Sequence, residues 1–196
     1  MTLPKTLRDH AGIAWPAATF ADAVLLLIDA QREYTEGKLR LHGVAAAVDT
    51  IAGLLEQARR AGTPIVHVAQ NGKPGSALFD PNGPMSRFIT GIAPRDGEIT
   101  VVKSLPNAFA KTELDAKLKA TGRSNLIVAG FMTHMCISAT TRASVDLGYR
   151  TTIVADGTAT RDLPDGSGGT IDAATVHRVA LAELGDRFAT VVPNMT

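Results

Sequence analysis

Unbroken apolar runs of strand length, separated by stretches of helical periodicity, constrain this chain more than any other feature. The runs are Ala23–Ile28 (AVLLLI), Pro64–Ala69 (PIVHVA), Asn125–Ala129 (NLIVA) and Thr151–Ala155 (TTIVA), with weaker ones at Ile99–Lys103 (ITVVK) and Phe188–Val192 (FATVV). A strand with one wet face alternates apolar and polar residues. A continuous run implies cover on both faces, as in a parallel sheet between helix layers. The intervening segments read as helices that stop at glycine. Val44–Ala61 carries Val44, Val48, Ile51, Leu55 and Ala58 on one stripe and stops at Gly62. Thr112–Thr121 opens with Thr112 and Asp115 in capping-box-like spacing, pairs Leu114 with Leu118 and stops at Gly122. Thr133–Leu147 and Thr170–Leu184 stop at Gly148 and Gly185. Right-handed crossovers between such units predict a three-layer α/β/α fold around an open, mostly parallel sheet.

The 196 residues are expected to form a single domain, with residues 1–20 as an N-terminal extension. The segment Gln70–Glu98 is the long irregular stretch, rich in proline and glycine. Phe79, Met85, Phe88 and Ile89 within it predict packing on the pocket or on a partner subunit, with a short helix at Pro84–Ile89. A second excursion covers Asp156–Gly169.

Charge and cysteine content narrow the function. Lys and Arg number 20 against 19 Asp and Glu, so the electrostatic footprint of a nucleic-acid or membrane-surface binder is missing. The start of the chain is charged and broken by Pro4 and Pro16, and does not read as a secretory signal. No stretch approaches the roughly 18–20 apolar residues of a membrane span. A cytoplasmic protein is expected, acting on a small molecule, with the thiol of its one cysteine, Cys136, kept reduced. Nucleotide readings fail for want of glycine. The turn after the first run, DAQREYTEGKLRLHG, cannot bring backbone amides to a pyrophosphate, and neither a P-loop nor a nucleophile elbow occurs.

Ligands of open α/β sheets bind beyond the carboxyl ends of the strands. The first run leads into Asp29, the Ile99–Lys103 run ends on Lys103, and the Asn125–Ala129 run leads through Gly130 to Cys136 in the first turn of a helix. Taken singly, Asp29 could cap a turn, Lys103 could be a solvated strand end, and Cys136 could be a small core residue. Together on one sheet edge they make a nucleophile site. A cation and a helix N-terminus lower a thiol pKa, a carboxylate takes its proton, and helix-start amides hold an oxyanion.

The segments LLLIDAQREY (Leu25–Tyr34), VVKSLPNAFAKTEL (Val101–Leu114) and LIVAGFMTHMCISATTRASVDLGYRTTIVADGTATRD (Leu126–Asp162) resemble the isochorismatase-like cysteine hydrolase superfamily, in the family's order, from about Val24 to Val192. The resemblance implies a six-stranded parallel sheet and a catalytic Asp–Lys–Cys triad on Asp29, Lys103 and Cys136. It also implies a non-proline cis peptide at Met132–Thr133, aiming the Thr133 amide, with that of Cys136, at an oxyanion. Retention of Cys136 favours the cysteine amidohydrolase branch, cleaving a small amide or ureido C–N bond through a thioester. Ether hydrolysis of the isochorismatase type is the alternative enzyme reading, and a redox or binding protein using Cys136 is the alternative outside enzymes. The metal pair of the nicotinamidase branch is missing from Val66–His67–Val68–Ala69–Gln70, so no metal and no cofactor are expected, and His67 reads as a strand histidine with a satisfied hydrogen bond. Tyr34, Asn107, Phe109 and His134 are candidate substrate contacts, and Gln31 is divided between a site role and a structural one. The resemblance and the apolar loop residues together predict a homodimer or a higher homo-oligomer.

Overall fold

The computed structural model describes residues 3–195. In chain order the elements are α1 (Leu7–His10), β1 (Ala23–Ile28), α2 (Val44–Ala61), β2 (Ile65–Gln70), β3 (Ile99–Lys103), α3 (Leu114–Ala120), β4 (Asn125–Phe131), a π-helical turn (Thr133–Ile137), α4 (Ser138–Asp146), β5 (Arg150–Ala159), a small hairpin β6 (Leu163–Pro164) and β7 (Thr170–Ile171), α5 (Ala173–Arg187) and β8 (Ala189–Val192). Six strands form one parallel sheet in the order β3-β2-β1-β4-β5-β8.

β1 sits in the middle and is wholly buried. Its side chains alternate between two cores, as strand pleating requires. Leu25 and Leu27 face a core shared with Ile51, Leu54 and Leu55 of α2. Val24, Leu26 and Ile28 face the opposite core, with Leu114 and Leu118 of α3 and Leu184 of α5. This two-sided burial is why the strand sequence is apolar without interruption.

Four local readings are corrected by the structure. Thr112 lies one residue before the cap position of α3, where its Oγ1 accepts from the Leu114 amide at 3.2 Å, and it forms no capping box with Asp115. Glu113 occupies the cap position, while Asp115 receives the Lys119 ammonium and the Tyr149 hydroxyl. The helix expected from Thr170 begins at Ala173, because Thr170 and Ile171 pair with Leu163 and Pro164 and Asp172 caps the helix by accepting from the Thr175 amide. Gly185 does not end α5; it sits inside the helix, which runs on to Arg187. The short helix at Pro84–Ile89 is a single 3-10 turn, Pro84–Ser86.

The long segment after β2 folds back on its own chain. The Ile89 amide donates to the Ala30 carbonyl and the Arg32 amide to the Arg87 carbonyl, while Phe79 and Ile89 enter the α2-side core. The N-terminal segment runs beside β8 and β5. The Leu7 amide donates to Asp186, the Trp15 carbonyl accepts from Thr190, and the Ala18 amide donates to Thr152.

Candidate active site

Three strands deliver the predicted residues to one place, above the end of β1. Asp29 follows β1 directly, in a left-handed conformation with φ 54°. Asp tolerates that region better than most residues, and here it turns the side chain out of the strand direction. The neighbouring strand makes room through Gly130, whose φ is 118° and where a Cβ would lie 2.0 Å from the Ile28 carbonyl oxygen. Only glycine permits that approach of β4 to the end of β1.

Lys103 ends β3, which does not border β1. Its side chain reaches over the end of β2, where Gln70 is its register partner. Lys103 Nζ donates to Gln70 Oε1 at 2.7 Å, lies 2.8 Å from Asp29 Oδ2 and donates to Cys136 Sγ at 3.4 Å. Both side chains of the ion pair are fully buried. Neither Asp29 oxygen meets a donor in good hydrogen-bond geometry among the described residues, so the ionic contact with Lys103 is what compensates its burial. Gln70 was not singled out by sequence reasoning as a site residue. The available signal was its position at the end of β2, on the same edge as Asp29 and Lys103.

Cys136 lies in the π-helical turn, not in a regular first α-turn. The Met132 carbonyl accepts from the amides of Met135 (3.0 Å) and Ile137 (3.2 Å), so the longer bond bypasses the amide of Cys136. Such π-turns recur at functional sites. The cis peptide is at Phe131–Met132, one bond before the expected Met132–Thr133. The Met132 carbonyl is already the first acceptor of the helical turn, so the Met132–Thr133 peptide belongs to the helix and is trans.

The electrostatics correct a second expectation. Burial, and then the Asp29 carboxylate, push the Cys136 thiol up to about 12, and the opposing pull of Lys103 does not overcome them. Burial also raises Asp29 above the usual carboxylate range, with Lys103 pulling it down. The thiol is therefore not lowered by its cation and helix start, because desolvation of a buried thiolate outweighs both.

The other candidates are distributed unevenly. Gln31 is a buried clamp: its Nε2 donates to the carbonyls of Gln70 (2.8 Å) and Ser86 (2.6 Å), and its Oε1 accepts from the Gln70 amide (2.8 Å). Tyr34 is buried edge-on to Phe79 and Phe131, and burial, Asp29 and Cys136 together hold its phenol protonated. Asn107 accepts from the Phe109 amide, and the Phe109 ring stacks on Tyr149. His134 bonds through Nδ1 to Thr160 Oγ1 at 2.5 Å, and its buried Nε2 has no partner among the described residues. His67 Nε2 lies 2.9 Å from Glu98 Oε2, while its buried Nδ1 has no partner among the described residues. Among the described residues no cluster of three or more His, Cys, Asp or Glu side chains is placed to hold a metal ion, and no helix is long and apolar enough to cross a membrane.

The isochorismatase domain model matches residues 23–194. The chain belongs to the isochorismatase family. The secreted isochorismatase effector Isc1 of Verticillium dahliae is 36% identical over 188 residues, 96% of each chain. A maleamate amidohydrolase of Pseudomonas putida is 33% identical over 146 residues, 66% of this chain and 68% of its own. The crystal structure of an isochorismatase from Pseudomonas putida KT2440 superposes with a TM-score of 0.94 at 45% identity, covering 97% of both chains. This family member is a hydrolase, and the sheet order and flanking helices are those of the family fold.

Proposed function

We propose that Asp29, Lys103 and Cys136 are the catalytic centre of a hydrolase that cleaves a small amide or ureido C–N bond through a Cys136 thioester. The observation that carries this reading is the meeting of a carboxylate, an ammonium and a thiol in one buried site, with Lys103 Nζ 2.8 Å from Asp29 and 3.4 Å from Cys136. The likeness to a maleamate amidohydrolase supports amide chemistry.

A thiol held up at about 12 is neutral in the resting enzyme. Asp29 therefore takes the proton as Sγ attacks the substrate carbonyl, rather than beforehand. The amides of Thr133 and Cys136, both within the π-turn, stabilise the oxyanion. The tetrahedral intermediate collapses, Asp29 gives its proton to the leaving nitrogen, and ammonia or an amine departs. Water then adds to the thioester, with Asp29 accepting its proton and returning one to Sγ as the acid leaves. Lys103 keeps a positive charge beside both groups throughout. Gln70 Oε1 also accepts from the Lys103 ammonium, at 2.7 Å.

A peroxide-sensing thiol requires thiolate character at neutral pH. The raised Cys136 thiol favours the hydrolytic reading over the redox one. The test is turnover of a panel of small primary amides and ureido acids, read as ammonia release, by the wild type, Cys136→Ala and Cys136→Ser. Loss of several orders of magnitude in both variants is expected, together with a hydroxylamine-sensitive acyl adduct on Cys136 by mass spectrometry. Unchanged turnover in both variants overturns the nucleophile, and turnover of an ether substrate without ammonia release overturns the amide reading.

A further inference from the structure

One cavity lies apart from the Asp29–Lys103–Cys136 centre. It measures about 660 Å3, lies between the first turns of α2 and α5 over the end of β5, and includes Asp156, Thr160 and His177 in its wall. Two of these residues connect it to the π-turn. Thr160 bonds His134, and His177 bonds Thr133, the residue whose amide the proposed mechanism directs at the oxyanion.

We propose that His177 is a positioning residue that fixes the Thr133 peptide for oxyanion binding through the Thr133 hydroxyl. The inference rests on the reading of Cys136 as nucleophile. His177 Nδ1 lies 2.9 Å from Thr133 Oγ1, across 44 residues of sequence. Thr133 is fully buried, so its hydroxyl needs a protein partner, and His177 supplies it. Threonine is stiff about χ1, so holding Oγ1 also holds the orientation of the backbone that carries it. The Thr133 amide itself donates to no protein group among the described residues, and stays available to a ligand oxygen.

The anchor end is equally well fixed. α5 starts on the Asp172 cap, and the Ala173 amide donates to Asp162 Oδ1 at 2.8 Å, tying the helix to the segment after β5. Burial lowers the His177 pKa, with Asp156 pulling it back up, and this favours the neutral ring. In the Nε2–H tautomer, Nδ1 accepts the Thr133 proton. The bond from His134 to Thr160, the residue after β5, holds the next residue of the turn. The turn that would bind the oxyanion is thus braced from α5 and from the segment that follows β5, neither of which carries a residue of the proposed triad.

Two reactions of Cys136 separate this role from a merely structural one. Acylation by p-nitrophenyl acetate passes through an oxyanion, whereas alkylation by iodoacetamide attacks an sp3 carbon and forms none. Stopped-flow release of p-nitrophenolate and mass-spectrometric alkylation rates are measured on the wild type, Cys136→Ala, His177→Ala, His177→Asn and Thr133→Val. A displaced oxyanion donor is expected to slow acylation about 10- to 100-fold in His177→Ala and in Thr133→Val. Alkylation stays within about threefold of the wild type, because only the oxyanion interaction is displaced. His177→Asn, whose amide oxygen can stand where Nδ1 accepts, recovers most of the acylation rate. A folded His177→Ala enzyme with wild-type acylation, or one in which both reactions fall together, overturns the proposal. If His177→Ala does not fold, Thr133→Val reads the same bond from its other end, and the same two outcomes decide. Release of p-nitrophenolate at the wild-type rate by Cys136→Ala overturns the nucleophile instead, and is distinguished by not involving His177.

Discussion

Lys103 Nζ lies 2.8 Å from Asp29 Oδ2 although β2 separates the strands that carry the two residues. The contact spans the end of a strand, and both side chains are fully buried. A buried pair contributes little net stability when whole, because desolvation offsets attraction. Removing one partner leaves an uncompensated charge, at a cost of about 3–5 kcal/mol. Lys103→Met is therefore expected to lose about that much in urea denaturation, and to lose turnover as well, since the cation that favours the ionised Asp29 is gone. Asp29→Asn combined with Lys103→Met removes both charges. It should be more stable than Lys103→Met alone and equally inactive. A double variant less stable than the single one would refute a desolvation origin for the loss.

The carboxylate has an opposite effect on the resting thiol. Asp29 is second only to burial among the influences that raise Cys136 to about 12. Replacing it by Asn removes that repulsion and leaves Lys103 in place, so the thiol pKa falls. At pH 8, Asp29→Asn is expected to be alkylated by iodoacetamide faster than the wild type while being dead in turnover. In the wild type the alkylation rate should climb about tenfold per pH unit from pH 7 to 10 without a plateau, since only the thiolate reacts. Slower alkylation of Asp29→Asn would mean that the carboxylate activates the thiol even without substrate.

Gly130 tests the backbone geometry behind the site. A methyl group there meets the Ile28 carbonyl oxygen at 2.0 Å, and φ of 118° is closed to L-residues. Gly130→Ala must part β4 from β1 next to Asp29, or abandon its φ. A loss of at least about 2–3 kcal/mol is expected, measured as urea midpoint at unchanged m-value, with activity falling beyond what the unfolded fraction explains. Gly157 provides the comparison. Its would-be Cβ meets Ala129 Cβ at 3.0 Å and its φ is not left-handed, so Gly157→Ala should cost clearly less.

These examples show what the sequence could and could not disclose. The parallel sheet was legible because burial on two faces leaves a direct mark, unbroken apolar runs, and β1 matches its run residue for residue. Asp29, Lys103 and Cys136 were legible because each follows or ends such a run. Gln70 ends β2 in the same way but has an uncharged side chain, and its role emerges only when the sheet order places it under the Lys103 side chain. His177 is written as one polar residue on an amphipathic helix; its bond to Thr133 depends on how α5 packs, which has no local signature. The thiol's raised pKa was misjudged because charge partners can be read from motifs, whereas desolvation is a property of the packed whole. Gly185 misled as well. A glycine after a helical run signals a stop, but α5 runs through Gly185 and on to Arg187.

The part-buried cluster beside β2 gives the chain an acid sensitivity independent of the candidate site. Arg59 of α2 binds Glu98 at 2.7 Å, the Arg95 amide donates to the same carboxylate at 2.9 Å, and His67 of β2 lies 2.9 Å from it. Burial would raise Glu98, but the Arg59, Arg95 and His67 interactions outweigh it and bring the carboxyl down to about 2. Burial likewise lowers His67, with Glu98 opposing, so the folded state holds its ring less readily protonated than the unfolded chain does. For both groups the folded pKa lies below the unfolded one, so the unfolded chain binds more protons and stability falls as the pH falls. The His67 contribution begins to be lost below about pH 6.5, its unfolded value, and the Glu98 contribution between about 4.5 and 2. Glu98→Gln removes the second loss and weakens the Arg59 tie. Urea denaturation from pH 7 to 3 should therefore show the variant less stable than the wild type at pH 7, by roughly 2–3 kcal/mol, with the gap narrowing steadily below pH 4.5. A gap that stays constant down to pH 3 would place the acid sensitivity elsewhere in the fold.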